Sequence, residues 1–130
     1  MRLTYKQAWE HLARSKQTSE SDLDDKFKVI RILRNHFGLY GLTGEIIMIN
    51  GEFCRMPDLF IKDNPPICVE LDGFVHGNGE QISKRDKDVQ RDKDYQSIGI
   101  KLVIINKEQT EGYSTDKVIK VLEENGLKRK

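Results

Sequence analysis

The chain lacks most of what would place it outside the cell or in a membrane. Only two of its 130 residues are cysteine. Cys54 and Cys68 both fall in strand-like segments, and no secretory signal is expected. Free buried thiols in a reducing cytoplasm are therefore expected rather than a disulfide. No apolar run approaches the ~20 residues that span a bilayer, so no transmembrane helix and no membrane partner are expected. An excess of one charge is lacking too: 22 Lys and Arg face 21 Asp and Glu, for a net charge of +1. That balance argues against bulk electrostatic capture of nucleic acid, although a local basic face would not register in the total. Repeats and low-complexity linkers are also missing. The 130 residues fit one domain, large enough to bury a core and too small for two.

What is present is a periodic pattern. Leu3, Ala8, Trp9 and Leu12 predict a first amphipathic helix, ended by the polar stretch 15–21. A second helix is expected over about 22–37, with Leu23, Phe27, Ile30, Leu33 and Phe37 as its buried stripe and Gly38 as its stop. Residues 45–50 read as a strand turning at Asn50-Gly51. Residues 55–62 alternate and read as the next strand, with Asp58 and Phe60 on one face, bounded by the polar turn 63–66. A glycine-rich loop over 73–79 leads to a charged helix over about 84–98. A buried strand over 101–105 and a last helix around Val118, Ile119 and Leu122 complete the chain. This order implies an α/β fold: one mixed central sheet of about four strands flanked by helices. Within it, N-terminal helices span 1–37, a core about 45–108 and a C-terminal helix about 114–125.

The chemistry concentrates in residues 57–76. In the run 67–72, a period of two puts Ile67, Val69 and Leu71 on one face and Cys68, Glu70 and Asp72 on the other. If this strand pairs with the preceding one as a hairpin, Asp58 lies beside Glu70 and Asp72. Carboxylates that close repel unless a proton or cation sits between them, and a hard divalent ion with oxygen ligands is an economical answer. The plainer account is turn chemistry: an acid before Gly73, and His76 as a solvated loop residue.

Pro57-Asp58, roughly ten residues, then Glu70-x-Asp72 resembles the metal-binding core of the PD-(D/E)xK nuclease superfamily. The likeness continues through Gly73, His76, Asp88, Arg91, Tyr95 and Gly99 to the run Leu102-Val103-Ile104-Ile105. In that order these residues are similar to the very-short-patch repair (Vsr-like) endonuclease branch, over about residues 55–108. There are two departures. Asp72 fills the usual lysine position, and the ligands of the repair enzyme's structural zinc are missing, so no structural zinc is expected.

The resemblance implies a restriction-endonuclease-like fold and a Mg²⁺-dependent (or Mn²⁺-dependent) DNA endonuclease. Asp58 and Glu70 would hold the metal, joined by the Leu71 carbonyl or Asp72. His76 would move a proton in place of the absent lysine, with Lys84 and Lys87 as rivals. Members often add a carboxylate from the preceding helix. Asp25 is preferred for its helical position beside the core, with Glu20, Asp22 and Asp24 left open. Arg91, Lys84 and Lys87 are the candidate DNA contacts; the ordinary alternative for Arg91 is a surface ion pair with Asp88. The terminal Lys128-Arg129-Lys130 run is a frayed tail or a phosphate-contacting arm. DNA is the expected partner, and the oligomeric state stays open, a dimer included.

Overall fold

The computed structural model describes residues 6–7, 10, 20–49, 53–72 and 89–130. The apolar residues of the first expected helix, His76, Lys84, Lys87 and Asp88 lie outside that set. Helix α1 spans Glu20–Ile32 and runs on into a π-helical turn, Leu33–Phe37. Gly38 ends it in the left-handed region at φ 66°, its N–H bonded back into the last turn. A residue without a Cβ enters that region at no steric cost, which is why the chain stops there.

Among the described residues, six strands follow in two sheets. β1 (Gly41–Leu42), β4 (Leu59–Ile61), β5 (Ile67–Asp72) and β6 (Lys101–Asn106) form a four-stranded sheet in the order β1-β4-β5-β6. β2 (Ile47–Ile49) and β3 (Phe53–Arg55) pair by themselves as an antiparallel ribbon. β1 and β5 each run antiparallel to β4, while β6 is parallel to β5, so the sheet is mixed, as the element order implied. Helix α2 covers 89–96 among the described residues, and α3 spans Thr115–Glu124.

The expected strand over 55–62 is in fact two strands in different sheets. β3 ends at Arg55 and β4 begins at Leu59, with Pro57 buried between them. Pro57 has no N–H to give to a ladder, and its ring restricts the residue before it, so alternation continued across a segment that cannot pair throughout.

The core lies between the sheet, α1 and α3. It gathers Leu59, Ile61, Val69, Val103 and Ile105 against Val29, Leu33, Val118 and Leu122. The expected stripe of α1 is corrected here: Leu23 and Phe27 are 44% and 54% exposed, while Val29, Ile32, Leu33 and Phe37 are buried. At about 100° per residue, Leu23 and Phe27 lie more than a quarter turn from that seam, whereas Asp25 lies close to it. The sheet took the phase carrying Val29 and Leu33.

β5 is covered on both faces. Its first four residues are buried, including Cys68 and Glu70. The face that carries Cys68 and Glu70 is packed beneath α2.

Candidate functional site

The acids are brought together by hairpin register. Leu59 pairs with Val69 at the end of the ladder, so Asp58 and Glu70 are the residues next to that last pair on the two chains. Asp58 Oδ2 also accepts the Leu71 N–H at 2.8 Å, which fastens its carboxyl to the end of β5. Asp72 sits two residues beyond Glu70 and so shares its face.

The positive charge among these acids comes from the protein itself. Arg91 on α2 places Nη1 3.5 Å from Glu70 Oε2 and Nη2 3.8 Å from Asp72 Oδ1. Its side chain is 16% exposed. The guanidinium therefore points into the acidic cluster, and Arg91 belongs to the site rather than to a solvated outer face. Glu70, only 5% exposed, would be costly to bury without such a counter-charge.

The same covered face holds two further polar groups. Burial pushes the Cys68 thiol up to about 12, with Glu70 adding to the rise and a weak bond to the Tyr95 hydroxyl opposing it. Burial likewise raises the Tyr95 hydroxyl above its ordinary value. That hydroxyl meets no partner at full hydrogen-bond geometry among the described residues, leaving the adjacent thiol as a weak one. At the outer edge of α2, Arg55 Nη2 and Nε donate to Asp94 Oδ2 at 2.7 and 3.1 Å. Burial alone would raise the Asp94 carboxyl, but the bonds from Arg55 and Gln90 outweigh it and hold the group below its usual range.

On the other side of β5, the Asp72 carbonyl accepts the Lys107 N–H at 2.7 Å and the Tyr113 hydroxyl at 3.1 Å. Lys107 Nζ reaches Asp25 Oδ2 at 3.0 Å. Asp25 thus stands next to the acidic edge, linked to it through Lys107, while Asp24 is exposed. The side chains of Glu20 and Asp22 lie outside the described set.

Lys107 and Tyr113 were missed in the sequence, yet a signal existed. Parallel strands end at a common edge, so the residues just after β6 fall beside those that end β5, and ligand chemistry in α/β sheets gathers at such carboxyl ends. Tyr113 also carries φ 60°, unusual for a bulky residue, and is held there by burial and its bond to Asp72.

Asp58, Glu70 and Asp72 offer hard oxygen donors of the kind Mg²⁺ takes. Among the described residues, no group of three or more His, Cys, Asp and Glu stands ready to hold a metal ion. No helix of the described residues is long and apolar enough to cross a membrane. Set beside protein-family models, curated proteins and solved structures, the chain matches none of them.

Proposed function

We propose that the protein is a cytoplasmic, metal-dependent endonuclease that hydrolyses phosphodiester bonds in DNA. One observation carries this reading. Asp58, just before β4, is tied by its carboxylate to the Leu71 amide, next in the chain to Glu70, and Asp72 lies on the same edge. Adjacent carboxylates are donors of the kind a hard divalent ion takes. Such an ion, when bound, polarises a phosphate and lowers the pKa of its water. Asp58 and Glu70 would hold it, with Asp72 or the Leu71 carbonyl as a further donor. His76, which lies outside the described residues, is assigned proton transfer; Lys84 and Lys87 remain its rivals. Lys107, tied by its backbone to Asp72, joins them as a lysine at the acidic edge.

The test is metal titration by calorimetry, followed by nicking of supercoiled plasmid. Asp58→Asn should abolish Mg²⁺-dependent nicking while the chain stays folded, because an amide oxygen can still accept the Leu71 N–H. Undiminished nicking by that variant removes Asp58 from the site and the proposal with it. His76→Ala should lower turnover by roughly 10²-fold to 10⁴-fold with metal affinity nearly unchanged. A rate within a few-fold of the parent returns His76 to an ordinary loop residue.

Arg91 favours a second reading. Its guanidinium already satisfies part of the charge of Glu70 and Asp72. A catalytically silent chain of this architecture, binding DNA or a protein, would keep that arrangement and show no heat of metal binding.

A further inference from the structure

The described residues hold a second charged region, and its charge is left open. Along one side of α1 and the π-turn, Lys28 and Arg31 line a cleft of about 550 Å³ together with His36, Ser114 and Thr115. A second cleft, of about 590 Å³, is lined by Arg34, Tyr40 and Lys130. Asn35 lines both, so the two adjoin. Glu111 supplies the one side-chain carboxylate among these lining residues, and it lies 3.8 Å from Lys117 outside the clefts. Lys28 Nζ reaches the Gly112 carbonyl at 3.4 Å, and Lys130 is fastened by its backbone N–H to the His36 carbonyl at 2.8 Å. Among the described residues, Arg31 and His36 enter no ion pair.

We propose that these adjoining clefts bind a single-stranded stretch of nucleic acid, with phosphates over Lys28, Arg31 and His36 and an unpaired base stacked on Tyr40. The proposal extends the nuclease reading by naming where its substrate strand lies. Three features select this partner. The lysine and arginine side chains succeed one another at every third position, 28, 31 and 34, so they follow one edge of the helix and can track a chain of regularly spaced anions. Tyr40 is 67% exposed, and the Arg34 guanidinium stands 5.9 Å from its ring centroid, which makes an aromatic and cationic platform of the kind bases stack on. Finally, one buried side chain links the first cleft to the acidic edge: Tyr113 lines the cleft and donates its hydroxyl to the Asp72 carbonyl. A strand lying in the clefts would run toward Asp58, Glu70 and Asp72. An acidic polypeptide would match the cations but has no use for the platform.

The experiment is fluorescence anisotropy on the full chain in EDTA, so that no metal or cleavage enters. The probes are labelled oligodeoxythymidine, a duplex of equal length and poly-glutamate, each over a salt series. The double variant Lys28→Ala/Arg31→Ala should weaken oligodeoxythymidine binding about tenfold or more and lower the salt slope by roughly two single-strand contacts. Lys120→Ala, which removes a cation from the outer side of α3, should change neither much. Tyr40→Ala should weaken binding about tenfold, with Tyr40→Phe close to the parent, and Glu111→Gln should tighten it. Circular dichroism confirms that these surface variants are folded. The proposal is overturned if the chain binds no oligonucleotide, if the double variant behaves as Lys120→Ala, if Tyr40→Ala has no effect, or if poly-glutamate depends on the same residues equally well. If the unsubstituted chain binds the oligonucleotide but does not nick plasmid in Mg²⁺, the nuclease reading alone is defeated, whereas nicking by a chain whose binding does not depend on Lys28, Arg31 and Tyr40 defeats the strand assignment alone.

Discussion

The β4–β5 hairpin has two faces that solve burial in opposite ways. On one, the pairs Leu59–Val69 and Ile61–Ile67 meet α1 and α3 with no polar atom in their side chains. On the other, Phe60 pairs with Cys68 and Asp58 bonds the Leu71 amide, while α2 sets Tyr95 against Cys68 and Arg91 against Glu70. The apolar face draws its stability from area removed from water, which is tolerant of direction. The polar face depends on partners at particular places, because each buried carboxylate or hydroxyl that loses one keeps its full desolvation cost. A domain this size gains fold from the first face and acquires chemistry on the second, where one guanidinium lies against Glu70 and Asp72 and a backbone amide holds Asp58.

The largest effect should come from the apolar face. Leu59 is fully buried, and Leu59→Ala removes its packing while leaving a void between Val69 and Leu33 of the kind cores refill poorly. Loss of about 2–5 kcal/mol is expected in urea unfolding, with the slope unchanged. A loss below about 1 kcal/mol would mean that the two faces do not differ in the way described.

A smaller effect is expected from the polar face, and its signature is coupling. Arg91→Ala leaves Glu70 buried beside Asp72 without its guanidinium, at a cost of about 1–3 kcal/mol, below the range for a closely bonded buried pair because the contacts are 3.5 and 3.8 Å. Glu70→Gln in the Arg91→Ala background should restore part of that loss, since the stranded charge is gone. Strictly additive effects would show that the two side chains do not act as a pair. Millimolar Mg²⁺ should raise the Tm of Arg91→Ala more than that of the parent, because the ion then has no guanidinium to compete with.

The two faces were not equally legible. Alternation in 67–72 placed Cys68, Glu70 and Asp72 together, and the hairpin brought Asp58 to the Leu71 amide beside them, so the acidic edge followed from a period of two and one turn. Gly38 marked the end of α1. What failed depended on tertiary choices. Leu23 and Phe27 satisfy helical periodicity as well as Val29 and Ile32 do, and only packing against the sheet selects between the two phases. Arg91 sits in a run of charges whose rotation about α2 no local pattern fixes, so its turn toward Glu70 was hidden. Lys107 and Tyr113 reach Asp72 across a parallel pairing from more than thirty residues away. The basic clefts stayed invisible for a related reason: a net charge of +1 averages a face whose cations are open with one whose cations are absorbed.

The smallest effect is a matter of pH and separates the faces again. An apolar face does not titrate, so any alkaline instability on this hairpin must come from the covered polar side. Cys68 has its thiol pushed from 9.0 to about 12, chiefly by burial. Because the folded value is raised, its contribution is fully present below about pH 9, where the thiol is protonated in both states. Above that the unfolded chain loses the proton first, and stability falls as pH rises toward 12. The expected loss is on the order of 1 kcal/mol per pH unit within that window. Other groups also titrate there, so the measurement is a difference: urea unfolding of the parent and of Cys68→Ala at pH 8, 9, 10 and 11. Cys68→Ala should be the less stable at pH 8, from the small void it leaves, and the two curves should converge as pH rises. Curves that stay parallel would mean that the thiol ionises without penalty in the folded state, and that the face beneath α2 admits water.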